Sequence, residues 1–455
     1  MRSFDVRFWD IRVRKDRRKP YEVRWVVAGN NKSSSYITRG LADNFRAKLM
    51  RAARKGEAFD TDSGLPESML KEQEAVSWYK HALAYMEMKW PRAAANTRRS
   101  TAEALATVTP VLVSSSAGAP DAKVLRQALI GWAFNPPRWA EEQTEDTRTA
   151  LRWLERVSLP ISVFDDPAEF AKITRRALDA CAKTIDGGPA AATTTRRKRS
   201  VVYNALGYAV ELGLLSANPI DRVQWTAPEV AETVDRRVVA SAAQVRELLT
   251  AISYVGRKRG PHLMAFFALL YFAALRPSEA VALCDQDCEL PEDGWGKLIL
   301  STSEPQAGKA WTDDGSYRQT RGLKWRAKNE TRAVPIPPEL VAMLRAHIET
   351  YGVGAGGRLF RTSSGGPIGS SAYWLVWGQA RGLGLPPARV ESPLAGRPYD
   401  LRHAGVSLWL NAGVPATEVA RRAGHSVDVL LKIYASCIDG DERTANQRID
   451  DALVA

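Results

Sequence analysis

Residues 423–435 read Ala423-Gly424-His425-Ser426-Val427-Asp428-Val429-Leu430-Leu431-Lys432-Ile433-Tyr434-Ala435. A Gly-His-Ser segment leads through a short helix, 427–434, to a tyrosine nine residues past the histidine. Two earlier segments bear on it. Ala274-Leu275-Arg276-Pro277-Ser278-Glu279-Ala280 places an arginine at the end of a strongly apolar helix, 261–275, just before a fresh helix start. An arginine at such a buried junction needs an anionic partner. Tyr399-Asp400-Leu401-Arg402-His403-Ala404 supplies a second arginine. Singly, each has a plain structural reading: Arg276 pairs with Glu279, His425 caps a helix, Tyr434 packs its ring in a core. The three together, in this order and spacing, are a more specific signal than any one alone.

Working outward, Ser241 reads as an N-cap and opens a domain over 241–455. Its helices are predicted at 261–275, 338–350, 370–381, 399–412, 415–423 and 427–434, with strands near 297–301 and 331–336 and an amphipathic tail at 440–453. Residues 226–240 read as an extended interdomain strap. Over 75–225 the apolar period is helical, in pieces at 76–89, 91–107, 123–132, 144–156, 167–181 and 191–211. The last opens with Thr193-Thr194-Thr195-Arg196-Arg197-Lys198-Arg199, hydroxyls and cations suited to phosphate. The polar segment 61–74 reads as a linker. Residues 1–60 predict a β-β-β-α module: Trp9, Ile11 and Val13 on one face, then Val23, Trp25 and Val27, then a short Ser-Tyr-Ile-Thr strand. Turns are placed at 17–20 and 29–32, and a helix at 41–56 with Leu41, Phe45 and Leu49 inward. The fold class is multidomain and mainly α, with a mixed α+β C-terminal domain.

The 455 residues carry a formal charge of +13, which favours a polyanionic partner. The first 60 hold 16 Lys/Arg against 7 Asp/Glu, and Arg14, Lys15, Arg17 and Arg18 are candidate DNA contacts there, with Arg196, Arg197, Lys198 and Arg199 further on. No run approaches the ~18 apolar residues of a membrane span, and the charged MRSFDVRFWD start has no signal-peptide centre, so a cytoplasmic protein is expected. The four cysteines, Cys181, Cys284, Cys288 and Cys437, form no CxxC pair and read as buried small apolar residues. The five histidines form no HExxH, so no protein-built metal site is expected.

The three segments resemble the tyrosine recombinases, the lambda-type integrases of phages and mobile elements. The resemblance is strong over about 240–440 and looser before it, where an arm-type DNA-binding β module and a helical (SAM-like) core-binding domain would precede the catalytic domain. RPYDLRHA and GHSVDVLLKIYA look especially like integrases of actinobacterial mobile elements. The resemblance implies Tyr434 as nucleophile, Arg276 and Arg402 as a phosphate clamp, His425 beside them, Glu279 in support and a hairpin lysine as general acid. Lys324, at the end of an outgoing strand, is preferred over Lys328 on a turn at 327–330. It also implies cleavage and rejoining of DNA through a 3′-phosphotyrosyl link without a cofactor or ATP. The partners would be double-stranded attachment sites, three further copies of the chain on DNA, and a directionality factor. The free chain would be a monomer or weak oligomer. The 440–455 tail would pack on a neighbour or fold back on its own domain.

One departure bears on proton transfer. The family's first histidine of His-x-x-Arg is Tyr399 here, and a neutral phenol is a poor general base. His403, one residue past Arg402, points about 100° away along a helix and has the lesser claim to that role. Two alternatives stay open: a non-catalytic DNA-binding relative and a type IB topoisomerase-like enzyme. The separate basic module disfavours the second.

Overall fold

The computed structural model describes residues 1–74, 76–230, 232–324, 330–437 and 442–454. They form two compact units, one of Met1–Ala93 and Ser100–Pro228, the other of Ala94–Arg99 and Glu229–Ala455.

The first unit opens with strands β1 (Arg2–Ser3), β2 (Val6–Phe8), β3 (Arg12–Val13), β4 (Tyr21–Val27) and β5 (Asn30–Tyr36), then helix α1 (Arg39–Arg54), strand β6 (Phe59–Asp60) and helix α2 (Glu67–Glu74). Val23, Trp25 and Val27 of the central β4 are buried, as alternation predicts. The first predicted strand differs. Both β2 and β3 pair with β4, but Phe8 faces Trp25 whereas Arg12 faces Glu22, a slip of one residue. An extra residue between the two pairings turns the following side chains over. Trp9, before the slip, is therefore exposed, while Val6 and Phe8 before it and Ile11 after it pack on the core; Val13, opposite Tyr21, is exposed as well. The predicted turn at 29–32 lies instead at Ala28-Gly29, with φ of +48° and +81°, the two positive angles that a two-residue hairpin requires. In α1 the buried face runs through Ala42, Leu49 and Ala52 with Phe45 beside it, and Leu41 is exposed.

The predicted linker at 61–74 is largely structure. Phe59 is buried, and Leu65 and Met69 pack on the same core. Trp25 Nε1 donates to Gly64 O at 2.5 Å and Lys32 Nζ to Asp62 O at 2.6 Å. Gly64 has φ +73°, and a Cβ there would meet Lys32 Cγ at 2.4 Å. A polar stretch was tied down by backbone carbonyls, which composition does not show.

Six helices follow near their predicted places: α3 (Trp78–Lys89), α4 (Ala95–Val108), α5 (Ala122–Ala128), α6 (Glu145–Val157), α7 (Phe170–Cys181) and α8 (Ala192–Glu211).

The second unit contains α9 (Ala242–Ser253), α10 (Arg259–Phe272), α11 (Pro277–Ala282), β7 (Cys288–Glu289), β8 (Gly296–Leu300), β9 (Thr302–Ser303), β10 (Arg321–Gly322) and β11 (Arg332–Ile336). Then come α12 (Pro338–Tyr351), α13 (Ser370–Gly384), α14 (Pro387–Val390), α15 (Asp400–Asn411), α16 (Ala416–Ala423), α17 (Val427–Tyr434) and α18 (Glu442–Val454). Ser241 caps α9 in a reciprocal capping box with Gln244. The apolar α10 is buried almost all round and forms the centre of this unit. Helix α15 crosses it closely: a Cβ on Gly405 would sit 2.1 Å from Tyr271 O. That close crossing brings the ends of α10 and α15 to one place.

The sheet runs β11-β8-β7, all antiparallel. Among the described residues β10 pairs with β9 and β11 with β8; the expected turn at 327–330 falls largely outside them. Within the strap Asp235 caps a short 3-10 turn at Arg236–Val238, and Val234 is buried beside Tyr434. Of the cysteines, Cys181 and Cys437 are buried, but Cys284 and Cys288 are only half-buried. No described helix is long and apolar enough to cross a membrane.

Candidate active site

Arg276 is placed by backbone chemistry. After α10 ends, Ala274 takes φ +48°, and Arg276 is extended as the N-cap of α11, with Pro277 at the first helical position. Proline suits that position because its missing N–H would have no helical partner. Glu279, one turn in, accepts from Arg276 N at 2.9 Å and from its Nη1 at 2.8 Å.

Glu279 also accepts from a second guanidinium. Arg332 Nη1 and Nη2 reach its two oxygens at 3.1 and 2.8 Å. Four hydrogen bonds use the acceptor capacity of one carboxylate. Burial pushes the Glu279 carboxyl up, but the charge and hydrogen bonds of Arg332, then Arg276 and Arg402, outweigh it and hold it at about 2. Arg332 was missed from the sequence. Its signal was there: on β11 it occupies an inward position, in line with Val334 and Ile336, and an arginine on a core-facing row requires an acid.

Arg402 is wholly buried. Its guanidinium donates to Ala274 O, to Ala423 O at 2.6 Å and to His425 Nε2 at 2.9 Å. Arg276 Nη2 donates to Gly424 O at 2.9 Å. Ala423 and Gly424 end α16, where carbonyls have no helical partner and carry the negative end of the helix dipole. Both arginines are thus fixed in part by the spent end of a helix. Gly424 is required twice: its φ is +67°, and a Cβ would lie 2.4 Å from Arg332 Nη1.

His425 follows directly. Arginine only donates, so Nε2 accepts and Nδ1 carries the hydrogen. That Nδ1 is buried without a partner among the described residues. Burial, then the charges of Arg402, Arg276 and Arg332, push the ring down to about 3, so it is neutral near pH 7. Ser426 caps α17, whose buried face is Leu430 and Tyr434. Tyr434 is fully buried, its ring stacked on His425 at 6.2 Å between centroids. Burial raises its phenol above the ordinary value, while the nearby Arg402 charge opposes that.

The Tyr434 hydroxyl lies 2.9 Å from His403 Nδ1. The sequence argument pointed His403 away from the site; the structure instead places its ring beside Tyr434. The 100° rotation from Arg402 is real, but α17 approaches from the side to which His403 points. Tyr399 touches His403 ring edge to face at 5.1 Å.

Lys324 is exposed, beyond β10, and is not among the buried side chains of this cluster. Lys328 lies outside the described residues. The basic candidates divide as well. Lys15, Arg17, Arg18, Arg196 and Arg197 are exposed. Arg14 is instead paired with Glu22 at 3.1 Å. Lys198 is half-buried, donating to Lys183 O, and Arg199 lies over the Tyr203 and Trp225 rings. These three are at least partly committed to the fold.

No family model matches the chain. Tyrosine recombinase XerC of Nitrobacter winogradskyi is 26% identical over 331 residues, covering 69% of this chain and 88% of that protein. The integrase of Mycobacterium phage FRAT1 is 25% identical over 262 residues, 56% of this chain and 69% of its own. Among solved structures, the Tn1549 transposon integrase with circular intermediate DNA is 16% identical, covers 71% of this chain and 99% of its own, and superposes with a TM-score of 0.46. Two arginines on one carboxylate, a neutral histidine and a buried tyrosine are gathered from distant segments, and the chain is similar to tyrosine recombinases and integrases.

Proposed function

We propose that the chain recombines DNA at specific sites, cutting and rejoining strands through Tyr434. The observation that carries this reading is the convergence of Arg276, Arg402, His425 and the Tyr434 hydroxyl on the joined ends of α10, α15, α16 and α17. The cluster is rich in cations and N–H donors, and its buried Glu279 carboxylate is fully used by arginines. A phosphodiester supplies the acceptors that it lacks.

Attack on phosphorus builds negative charge on the equatorial oxygens, and preorganised donors there are commonly the largest catalytic contribution. Arg276 and Arg402 stabilise that charge, and His425 Nδ1–H adds a donor. Tyr434 attacks, leaving a 3′-phosphotyrosyl link and a free 5′-hydroxyl. The link conserves the bond energy, so the partner strand's 5′-hydroxyl reverses the step without ATP. A lysine of 324–328 protonates the leaving oxygen, with Lys324 preferred. Tyr399 keeps a positioning role against His403.

Arg17, Arg18, Arg196 and Arg197 would contact phosphates, the first two from an arm-type module and the others from a core-binding domain. Four copies would join two sites, with a directionality factor setting the balance of integration and excision. The exposed Ile449 and Leu453 of α18 favour a tail that packs on a neighbouring copy. The Gly-His-to-Tyr wording, and a mycobacterial phage protein among the relatives, support an actinobacterial mobile element as the source.

The test is incubation with a nicked suicide substrate carrying the attachment site, read on a denaturing gel. A covalent adduct is expected. Tight binding with no adduct would leave the non-catalytic reading. Relaxation of any supercoiled plasmid would favour the topoisomerase-like one.

A further inference from the structure

We propose that His403 accepts the Tyr434 proton as the phenol oxygen attacks phosphorus. The inference rests on the recombinase reading above and adds the base that the replacement of histidine by Tyr399 leaves unassigned.

Among the described residues two histidines touch Tyr434, and His403, in its Nε2–H tautomer, offers the phenol a lone pair. His425 spends Nε2 on the Arg402 guanidinium, and its Nδ1 carries the hydrogen. His403 Nδ1 stands at hydrogen-bond distance, 2.9 Å, from the phenol oxygen. Its ring is held from the other side by the Tyr399 ring. The charged and titratable groups around it are Asp400, Arg402 and Arg397 with Tyr399 at the start of α15, Tyr434 from α17, and His425 before α17. Burial first, with Arg402 and Arg397 adding and Asp400 opposing, brings its pKa down to about 4, so the ring is neutral through the physiological range.

In the step, the Tyr434 O–H bond breaks and the proton passes to His403 Nδ1, giving an imidazolium. The oxygen–phosphorus bond forms, and the bond from phosphorus to the 5′-oxygen breaks with its electron pair. That oxygen takes a proton from a lysine ammonium or water. On rejoining, the imidazolium returns its proton to the phenol.

The test is single-turnover cleavage of the nicked substrate between about pH 6 and 8.5 by the wild type, His403→Asn and His403→Ala. Two substrates are used, one with the normal 5′-oxygen and one with sulfur in its place, since a thiolate leaves without a proton. The wild-type rate should be flat, its acceptor already unprotonated. Both variants should cleave about 100-fold slower near pH 7, as general bases contribute roughly 10²–10⁴-fold. Their rates should climb with pH, because hydroxide must then remove the phenol proton. Sulfur should not rescue them. Asparagine keeps a hydrogen-bonding group near Nδ1 but cannot hold the proton. A His403→Asn rate that is flat with pH and near wild type would reduce His403 to positioning and overturn the proposal. Rescue by sulfur would overturn it too, by making His403 the acid. Unchanged melting and DNA affinity control for folding. A wild type that forms no adduct, or a Tyr434→Phe variant that does, would sink the recombinase reading itself. An adduct from the wild type and none from Tyr434→Phe leaves the His403 results to judge this inference alone.

Discussion

The arginines around Glu279 and those near the start of α8 are the same residue type put to opposite uses. Arg332 and Arg402 are almost wholly buried, each bound by a carboxylate or by helix-end carbonyls at fixed distances. Arg196 and Arg197 are exposed, with a single backbone bond and a 3.9 Å ion pair respectively. The first set cannot relax when a partner is lost, since the charge stays out of water. The second set re-solvates at little cost. The first is built for geometry and the second for net attraction, so the two should fail in different ways.

The largest effect should come from Glu279→Ala, which strands two guanidiniums. Breaking a buried pair costs about 3–5 kcal/mol, visible as lower thermal stability along with lost cleavage. Wild-type-like melting would remove the distinction between the two sets. The pH dependence sharpens it. The Glu279 folded pKa, about 2, lies below its ordinary 4.5. Its stabilisation is therefore present above about 4.5 and fades as pH falls towards 2. Denaturant titrations of Glu279→Gln should show a shallower acid loss than the wild type.

Next comes Arg276→Ala. Removing one positioned donor typically costs about 10²–10³ in rate, while affinity for the site should fall only a few-fold, because dispersed phosphate contacts carry most binding. Gel-shift and adduct assays on the same substrate separate the two, and equal losses would make Arg276 an anchor only. Gly424→Ala should cost roughly 1–3 kcal/mol for its backbone angle and push Arg332 off Glu279. Cleavage should fall more than DNA binding. The smallest effect belongs to Arg196→Ala or Arg197→Ala. Each should lower the salt slope of DNA binding by about one, with no change in melting. A loss of stability there would mean that these arginines, too, belong to the fold.

Much of this was legible in the chain, and the failures have causes. Helix α17 was predicted at its observed bounds because an apolar run with a tyrosine at its end is a local signal. Arg276 and Glu279 were read together because they are three residues apart on one helix start. Arg332 was missed because its acid lies 53 residues away, although its place on the inward row of β11 was readable. His403 was set aside on helical geometry that was correct for its own helix. The partner comes from another helix, 31 residues on, and no rotation about one axis locates it. The N-terminal strand misread Trp9 because a one-residue slip in pairing leaves no mark in composition.

The most direct test of the account is to digest the covalent complex with protease and nuclease and locate the nucleotide-bearing residue by mass spectrometry. The account predicts a nucleotide on Tyr434 and no adduct from Tyr434→Phe. A nucleotide on any other residue, or an undiminished adduct in that variant, would contradict it.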